Sequence, residues 1–70
     1  MAKRIYITNL PETISSRQLH QMFSKFGSVG EIKMARDGSA YIEMQSGGDQ
    51  AIKGLHQTDM GGKSLNVNEA

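Results

Sequence analysis

A chain of 70 residues and 7.7 kDa is long enough for one small domain with a modest core. Hydrophobic residues make up 37% and charged residues 21%, and the net charge of +1 excludes a disordered polyelectrolyte or a strongly basic tail. The absence of cysteine excludes disulfides and thiolate metal ligands. No apolar stretch suits a signal peptide or a membrane span, so we expect a cytoplasmic protein with one domain over residues 1–70 and no membrane partner.

The first predicted element is a strand over residues 4–9, where polar and apolar side chains alternate. Ile5 and Ile7 are expected to face the core. The side chains expected on the opposite face are Arg4, Tyr6 and Thr8. Pro11 disfavours a helical conformation for the residue before it, so a turn follows this strand.

The next segment carries the signals of a helix at both ends. Ser15 and Gln18 have the spacing of a capping box, and Ile14 and Leu19 have that of a hydrophobic staple. Gly27 is expected to end the helix as a left-handed C-cap. The apolar stripe of this predicted helix consists of Leu19, Met22, Phe23 and Phe26.

Two further strands are predicted over residues 29–35 and 39–44. A two-residue turn between them would place a core residue opposite a surface residue, so we expect a three-residue loop with Gly38 left-handed. This register pairs Lys33 with Tyr41 and Met34 with Ala40. The inward side chains are Ile32, Met34, Ala40, Ile42 and Met44, and the outward ones are Glu31, Lys33, Ala35, Ser39, Tyr41 and Glu43.

A second helix is predicted after Ser46, its expected N-cap, and a last strand over residues 63–68. The glycines near and within this helix each cost about 1 kcal/mol relative to alanine, so its stability depends on docking. The residues of the last strand expected on the open face are Ser64, Asn66 and Asn68. The order β-α-β-β-α-β predicts an α+β fold, a ferredoxin-like sandwich in which two helices cover one face of a four-stranded antiparallel sheet.

The open face of this predicted sheet has the composition of a nucleic-acid platform. Both tyrosines of the chain lie on it, together with cationic side chains and amides. Aromatic rings stack on unpaired bases, Lys and Arg bind phosphate, and amides read base edges.

The residues themselves resemble the RNA recognition motif (RRM) family. Residues 5–10 look like the six-residue RNP motif of that family, and residues 37–44 are similar to its eight-residue motif. The resemblance continues through residues 19–27 and 62–67, so it covers essentially the whole chain. It implies a module that binds single-stranded RNA on the sheet, and the chain looks most like the small single-domain RRM proteins of bacteria.

The resemblance implies that Tyr6 and Tyr41 are the rings that stack on bases. Ser39 stands where the family has another ring, and Asp37 stands where it has a basic residue. Stacking contributes about 1–3 kcal/mol per base, and this chain lacks one of the family's rings. We therefore expect weak binding, micromolar or poorer, over about two to four nucleotides. The predicted RNA-binding residues are Tyr6, Tyr41, Lys33, Arg4, Thr8, Ser39, Arg36, Asn66 and Asn68.

The composition of the chain leaves the type of partner partly open. Single-stranded RNA is the expected partner of a monomer, and single-stranded DNA stays open because no reader of the 2′-OH is identifiable. The low net charge favours the main alternative, an RRM-like domain that binds a protein and little or no RNA. We expect no enzyme and no cofactor, because no Ser–His or paired-carboxylate arrangement is evident. We expect no metal site, because His20 and His56 lie on different helices without a second ligand nearby.

Overall fold

The computed structural model describes residues 2–70, which form a four-stranded antiparallel sheet and two helices. The elements in chain order are β1 (Lys3–Thr8), α1 (Ser16–Ser24), β2 (Val29–Met34), β3 (Ala40–Met44), α2 (Gly48–Leu55), β4 (Asp59–Met60), β5 (Lys63–Ser64) and β6 (Asn66–Glu69). The order of strands in the four-stranded sheet is β2-β3-β1-β6, and a separate two-stranded hairpin is formed by β4 and β5. The predicted α+β fold is confirmed.

The core lies between the sheet and the helices. Alternate residues of the central strands β1 and β3 are fully buried, as the alternation predicted. The buried apolar residues of the core are Ile5, Ile7, Leu10, Ile14, Leu19, Phe23, Ala40, Ile42, Met44, Ala51, Leu65 and Val67. No helix among the described residues has the length and apolar character that crossing a membrane requires.

The hairpin between β2 and β3 has the predicted three-residue loop. Gly38 has a φ of 87°, and the Ala35 amide donates to the Ser39 carbonyl at 2.9 Å. Lys33 lies opposite Tyr41, as parity required. The predicted register is therefore confirmed from Ile32 to Met34, and it shifts by one residue between Val29 and Ile32, where β2 carries an irregularity.

The prediction that Met34 belongs to the core is wrong. Its side chain is 40% exposed, although it lies opposite Ala40 as expected. Met34 is the last residue of β2, an edge strand with a neighbour on one side only. It lines an open groove beside Leu10 and Pro11 instead of being covered by a helix.

The capping box of α1 is confirmed, but its predicted C-cap is wrong. The Gln18 amide donates to Ser15 Oγ at 3.2 Å, and the Ser15 amide donates to Gln18 Oε1 at 2.9 Å. The C-cap residue is Lys25, in a right-handed conformation. Gly27 serves a close approach instead, because a Cβ there would lie 2.1 Å from the Ser46 carbonyl oxygen.

The predicted N-cap of α2 is also wrong. Gly47 is the N-cap, with a φ of 73°, and no side chain caps the helix. Ser46 Oγ accepts instead from the Ser28 amide at 3.1 Å, and the Gln45 amide donates to the Ser28 carbonyl at 2.9 Å. These hydrogen bonds therefore join the residue before β2 to the two residues that follow β3.

The single last strand predicted over residues 63–68 is two separate strands. β5 pairs with β4, whereas β6 pairs with β1. Leu65 separates them, since its amide donates to the Thr58 carbonyl at 3.0 Å and its carbonyl accepts from the Gln57 amide at 2.7 Å. His56 Nδ1 accepts from the Val67 amide at 3.1 Å, so residues 56–58 cover this edge of the sheet.

Candidate nucleic-acid interface

The two tyrosines meet at the centre of the sheet. Tyr6 on β1 lies directly opposite Tyr41 on β3. Their ring centroids are 4.7 Å apart, with an angle of 34° between the ring planes. Tyr41 is 46% exposed and Tyr6 is half-buried, so the pair presents one aromatic surface to solvent.

This aromatic pair belongs to a row of outward side chains that crosses all four strands. Asn68 on β6 lies opposite Tyr6, and Lys33 on β2 lies opposite Tyr41. We call this set the aromatic row: Asn68, Tyr6, Tyr41 and Lys33. The row places an amide at one end, a cation at the other and two rings between them, which are the groups that contact base edges, phosphates and base faces.

A second pair of predicted site residues lies along one side of the aromatic row. Thr8 is opposite Asn66 in the pairing of β1 with β6. The Asn66 side chain is exposed and that of Thr8 is half-buried. These two residues extend the polar surface toward the carboxyl end of β1.

On the other side of the row lies a depression of about 370 Å³, which contains side chains of both charges. Lys33 Nζ is 3.7 Å from Glu31 Oε1, and both side chains are at least 70% exposed. Arg4 lies opposite Glu43 across β1 and β3. Tyr41 forms the wall shared with the aromatic row. The two glutamates were predicted on this face, but they are not among the predicted RNA-binding residues; the structure places both of them in the depression beside Tyr41.

The predicted exposure of Ser39 on the sheet face is wrong. This residue is only 6% exposed. Its hydroxyl and amide donate to Asp37 Oδ1 at 2.5 and 3.1 Å, and these hydrogen bonds hold the pKa of Asp37 below its ordinary value of 3.8. The spacing of an Asx turn, Asp followed two residues later by Ser, was the available sequence signal.

Arg36 does not join the aromatic row. It lies in the loop between β2 and β3, where it is exposed and lines a different groove with Pro11 and Met34.

Lys3, the neighbour of Arg4 on β1, forms an ion pair on the helix side of the sheet. Its ammonium group contacts Asp49 of α2 at 2.5 Å, which raises the pKa of Lys3 and lowers that of Asp49. The cations of the aromatic row and its depression are therefore Lys33 and Arg4.

A four-stranded sheet backed by two helices, with aromatic side chains on its open central strands, defines a ferredoxin-like domain. The sequence model of the RNA recognition motif matches residues 5–66, and the chain belongs to that family.

Relatives of known name and structure agree with this membership. The chain is 32% identical to RbpE of the cyanobacterium Nostoc, over 94% of this chain and 76% of that protein. It is also 32% identical to the glycine-rich RNA-binding protein RZ1B of Arabidopsis thaliana, covering 100% of this chain but only 27% of that protein. The crystal structure of the RRM domain of S. pombe Puf1 superposes with a TM-score of 0.90 at 30% identity, over 99% of this chain and 89% of that one. A bacterial origin and a cytoplasmic location stay predictions.

Proposed function

We propose that the protein binds single-stranded RNA on the open face of its sheet, with bases stacked on Tyr6 and Tyr41. The observation that carries this proposal is the aromatic row, in which the two rings lie 4.7 Å apart between an amide and a cation. Family membership and the RNA-binding name of RZ1B support the same ligand. The protein is accordingly a binding module.

The polar groups around the rings have separate roles in this proposal. Lys33 and Arg4 are exposed and contact backbone phosphates on one side of the tyrosines. Asn66 and Asn68, with Thr8, contact base edges or sugars on the other side. Two phosphate contacts correspond to a slope of about −1.4 in a plot of log affinity against log salt concentration, at about −0.7 per contact.

We expect the affinity to be weak and the footprint short. Two rings supply about two stacked bases, each worth about 1–3 kcal/mol. Ser39 contributes no ring, and Arg36 lies in a separate groove. Binding over about two to four nucleotides, with micromolar or poorer affinity, follows from this small set of contacts.

The test is a titration of ¹⁵N-labelled protein with a pool of short single-stranded RNAs, followed by NMR of the backbone amides. We expect shifts concentrated at residues of the aromatic row, and an affinity loss of about 5- to 150-fold in either Tyr6→Ala or Tyr41→Ala. Arg17→Ala, which removes an exposed cation from α1, is the control for nonspecific electrostatic binding. DNA oligonucleotides of the same sequences determine whether the 2′-OH is required.

A protein partner is the second candidate, and the balance of charge in the depression favours it. Glu31 and Glu43 offset Lys33 and Arg4 there, which lowers the attraction for a polyanion. If folded protein shows no amide shifts at millimolar RNA, the RNA proposal is wrong and this candidate replaces it.

A further inference from the structure

Glu43 is placed to contact a base that stacks on Tyr41. It follows Tyr41 by two residues on β3, so both side chains project from the same face of the sheet. The side chain is half-buried, and its Oε1 atom would lie 3.5 Å from a Cβ at Gly30. Among residues 2–70, the Glu43 carboxylate accepts no hydrogen bond and forms no ion pair within 4.0 Å. Its acceptor oxygens are therefore available to a ligand.

A carboxylate can distinguish the four bases by the number of adjacent hydrogen-bond donors on their Watson–Crick edges. The Watson–Crick edge of guanine presents an imino N–H and an exocyclic amino group side by side, which match both carboxylate oxygens. Adenine and cytosine each present one amino group beside a ring-nitrogen acceptor, and uracil presents one N–H between two carbonyls. Only guanine can therefore donate to both oxygens at once.

The cations of the depression flank the Glu43 carboxylate. Lys33 lies opposite Tyr41, and Arg4 lies opposite Glu43. The phosphate contacts that the proposed function gives to these cations would hold the nucleotide beside Glu43 and leave the Watson–Crick edge of its base to the carboxylate. We infer that Glu43 selects guanine at the base position over Tyr41, an inference that rests on the proposed RNA binding.

Glu31 is the other carboxylate of the depression, and its surroundings differ. Its side chain is 70% exposed and lies 3.7 Å from the ammonium group of Lys33. An exposed, paired carboxylate loses more side-chain entropy and must give up its partner when it binds a base. The half-buried Glu43 is unpaired and has less side-chain freedom to lose.

The experiment measures the affinity of five pentamer RNAs that differ only in the central base, in the context 5′-UUNUU-3′. The central bases are guanine, adenine, cytosine, uracil and inosine, which is guanine without its amino group. A bidentate contact is worth about 5- to 150-fold in discrimination, so the guanine pentamer should bind at least about fivefold more tightly than the others. Inosine should lose most of this preference. Glu43→Gln should abolish it, since an amide offers one acceptor where guanine needs two, and Glu12→Gln, an exposed glutamate outside the sheet face, is the matched control.

The outcomes separate this inference from the function on which it rests. Equal binding of all five pentamers overturns guanine selection and leaves RNA binding intact. A preference that survives in Glu43→Gln but disappears in Glu31→Gln overturns the assignment to Glu43. If no pentamer binds the folded protein at millimolar concentration, the proposed function itself is wrong.

Discussion

Replacing Gly47 by alanine should destabilise the fold more than any similar change at an open turn. Gly47 has a φ of 73°, and a Cβ there would lie 1.9 Å from the Phe26 carbonyl oxygen and 3.2 Å from Gly27 Cα. The left-handed conformation alone costs alanine about 1–2 kcal/mol. The steric overlap must also push apart the two segments that meet at this point.

That separation breaks hydrogen bonds on either side of the contact. The Ser28 amide donates to Ser46 Oγ at 3.1 Å, and the Ser28 carbonyl accepts from the Gln45 amide at 2.9 Å. Each bond contributes about 0.5–1.5 kcal/mol, so the total expected loss in free energy of unfolding is about 2–5 kcal/mol. A 70-residue domain has only about 4–10 kcal/mol of stability, so this loss removes at least about a fifth of it.

Urea unfolding followed by circular dichroism measures this loss, and Gly62→Ala is the matched control. Gly62 has a φ of 83° but nothing within 4 Å of a built Cβ, so it incurs only the conformational cost of about 1–2 kcal/mol. With a slope of about 1 kcal/mol per molar urea, the midpoint of Gly62→Ala should fall by about 1–2 M and that of Gly47→Ala by about 2–5 M. Equal midpoints in the two variants would show that the close approach at Gly47 contributes nothing.

Three further outcomes are expected. In Ser39→Ala, the pKa of Asp37 should rise toward 3.8, which ¹³C NMR of the carboxyl carbon measures, and an unchanged pKa would contradict the assigned cause. Because the folded-state pKa is depressed, the stabilisation from this contact is present above pH 3.8 and is lost as pH falls through the folded-state value. In Asp49→Asn, the pKa of Lys3 should fall toward 10.5, because the hydrogen bond to Asp49 and its negative charge raise that pKa in the native protein. Since the folded-state pKa is raised, the contact stabilises the fold below pH 10.5, and this stabilisation is lost as pH rises through the folded-state value. NMR titration of the Lys3 side chain tests this, and a pKa that stays raised would refute it. In Lys33→Ala, the magnitude of the salt slope of RNA binding should fall by about 0.7, and an unaltered slope in affinity measurements across salt concentrations would remove Lys33 from the phosphate contacts.

Much of the fold and the position of the tyrosines could be predicted from local pattern. Alternation along β1 and β3 determined which side chains face the core, because a strand has a period of two residues. Parity also selected the three-residue loop at Gly38, since a one-residue slip would have turned buried side chains to solvent. The capping box of α1 lies within four residues and needed no tertiary information.

Three of the errors occur where a residue's partner is distant along the chain. Ser46 has the chemistry of an N-cap, but docking gives its hydroxyl to Ser28. Gly27 has the chemistry of a C-cap, yet its missing Cβ is required by Ser46. The last strand divides at Leu65 because Gln57 and Thr58 supply hydrogen-bond partners that no periodicity reveals.

The candidate site also combines features that the sequence predicts with features that depend on the tertiary structure. The sequence by itself determined that both tyrosines share one face, because that follows from strand parity. Only the tertiary structure decided that their rings lie 4.7 Å apart, and that Glu43 shares a depression with Arg4 and Lys33. Those distances depend on the order and register of four strands, which are set by long-range pairing and by the packing of the helices on the opposite face.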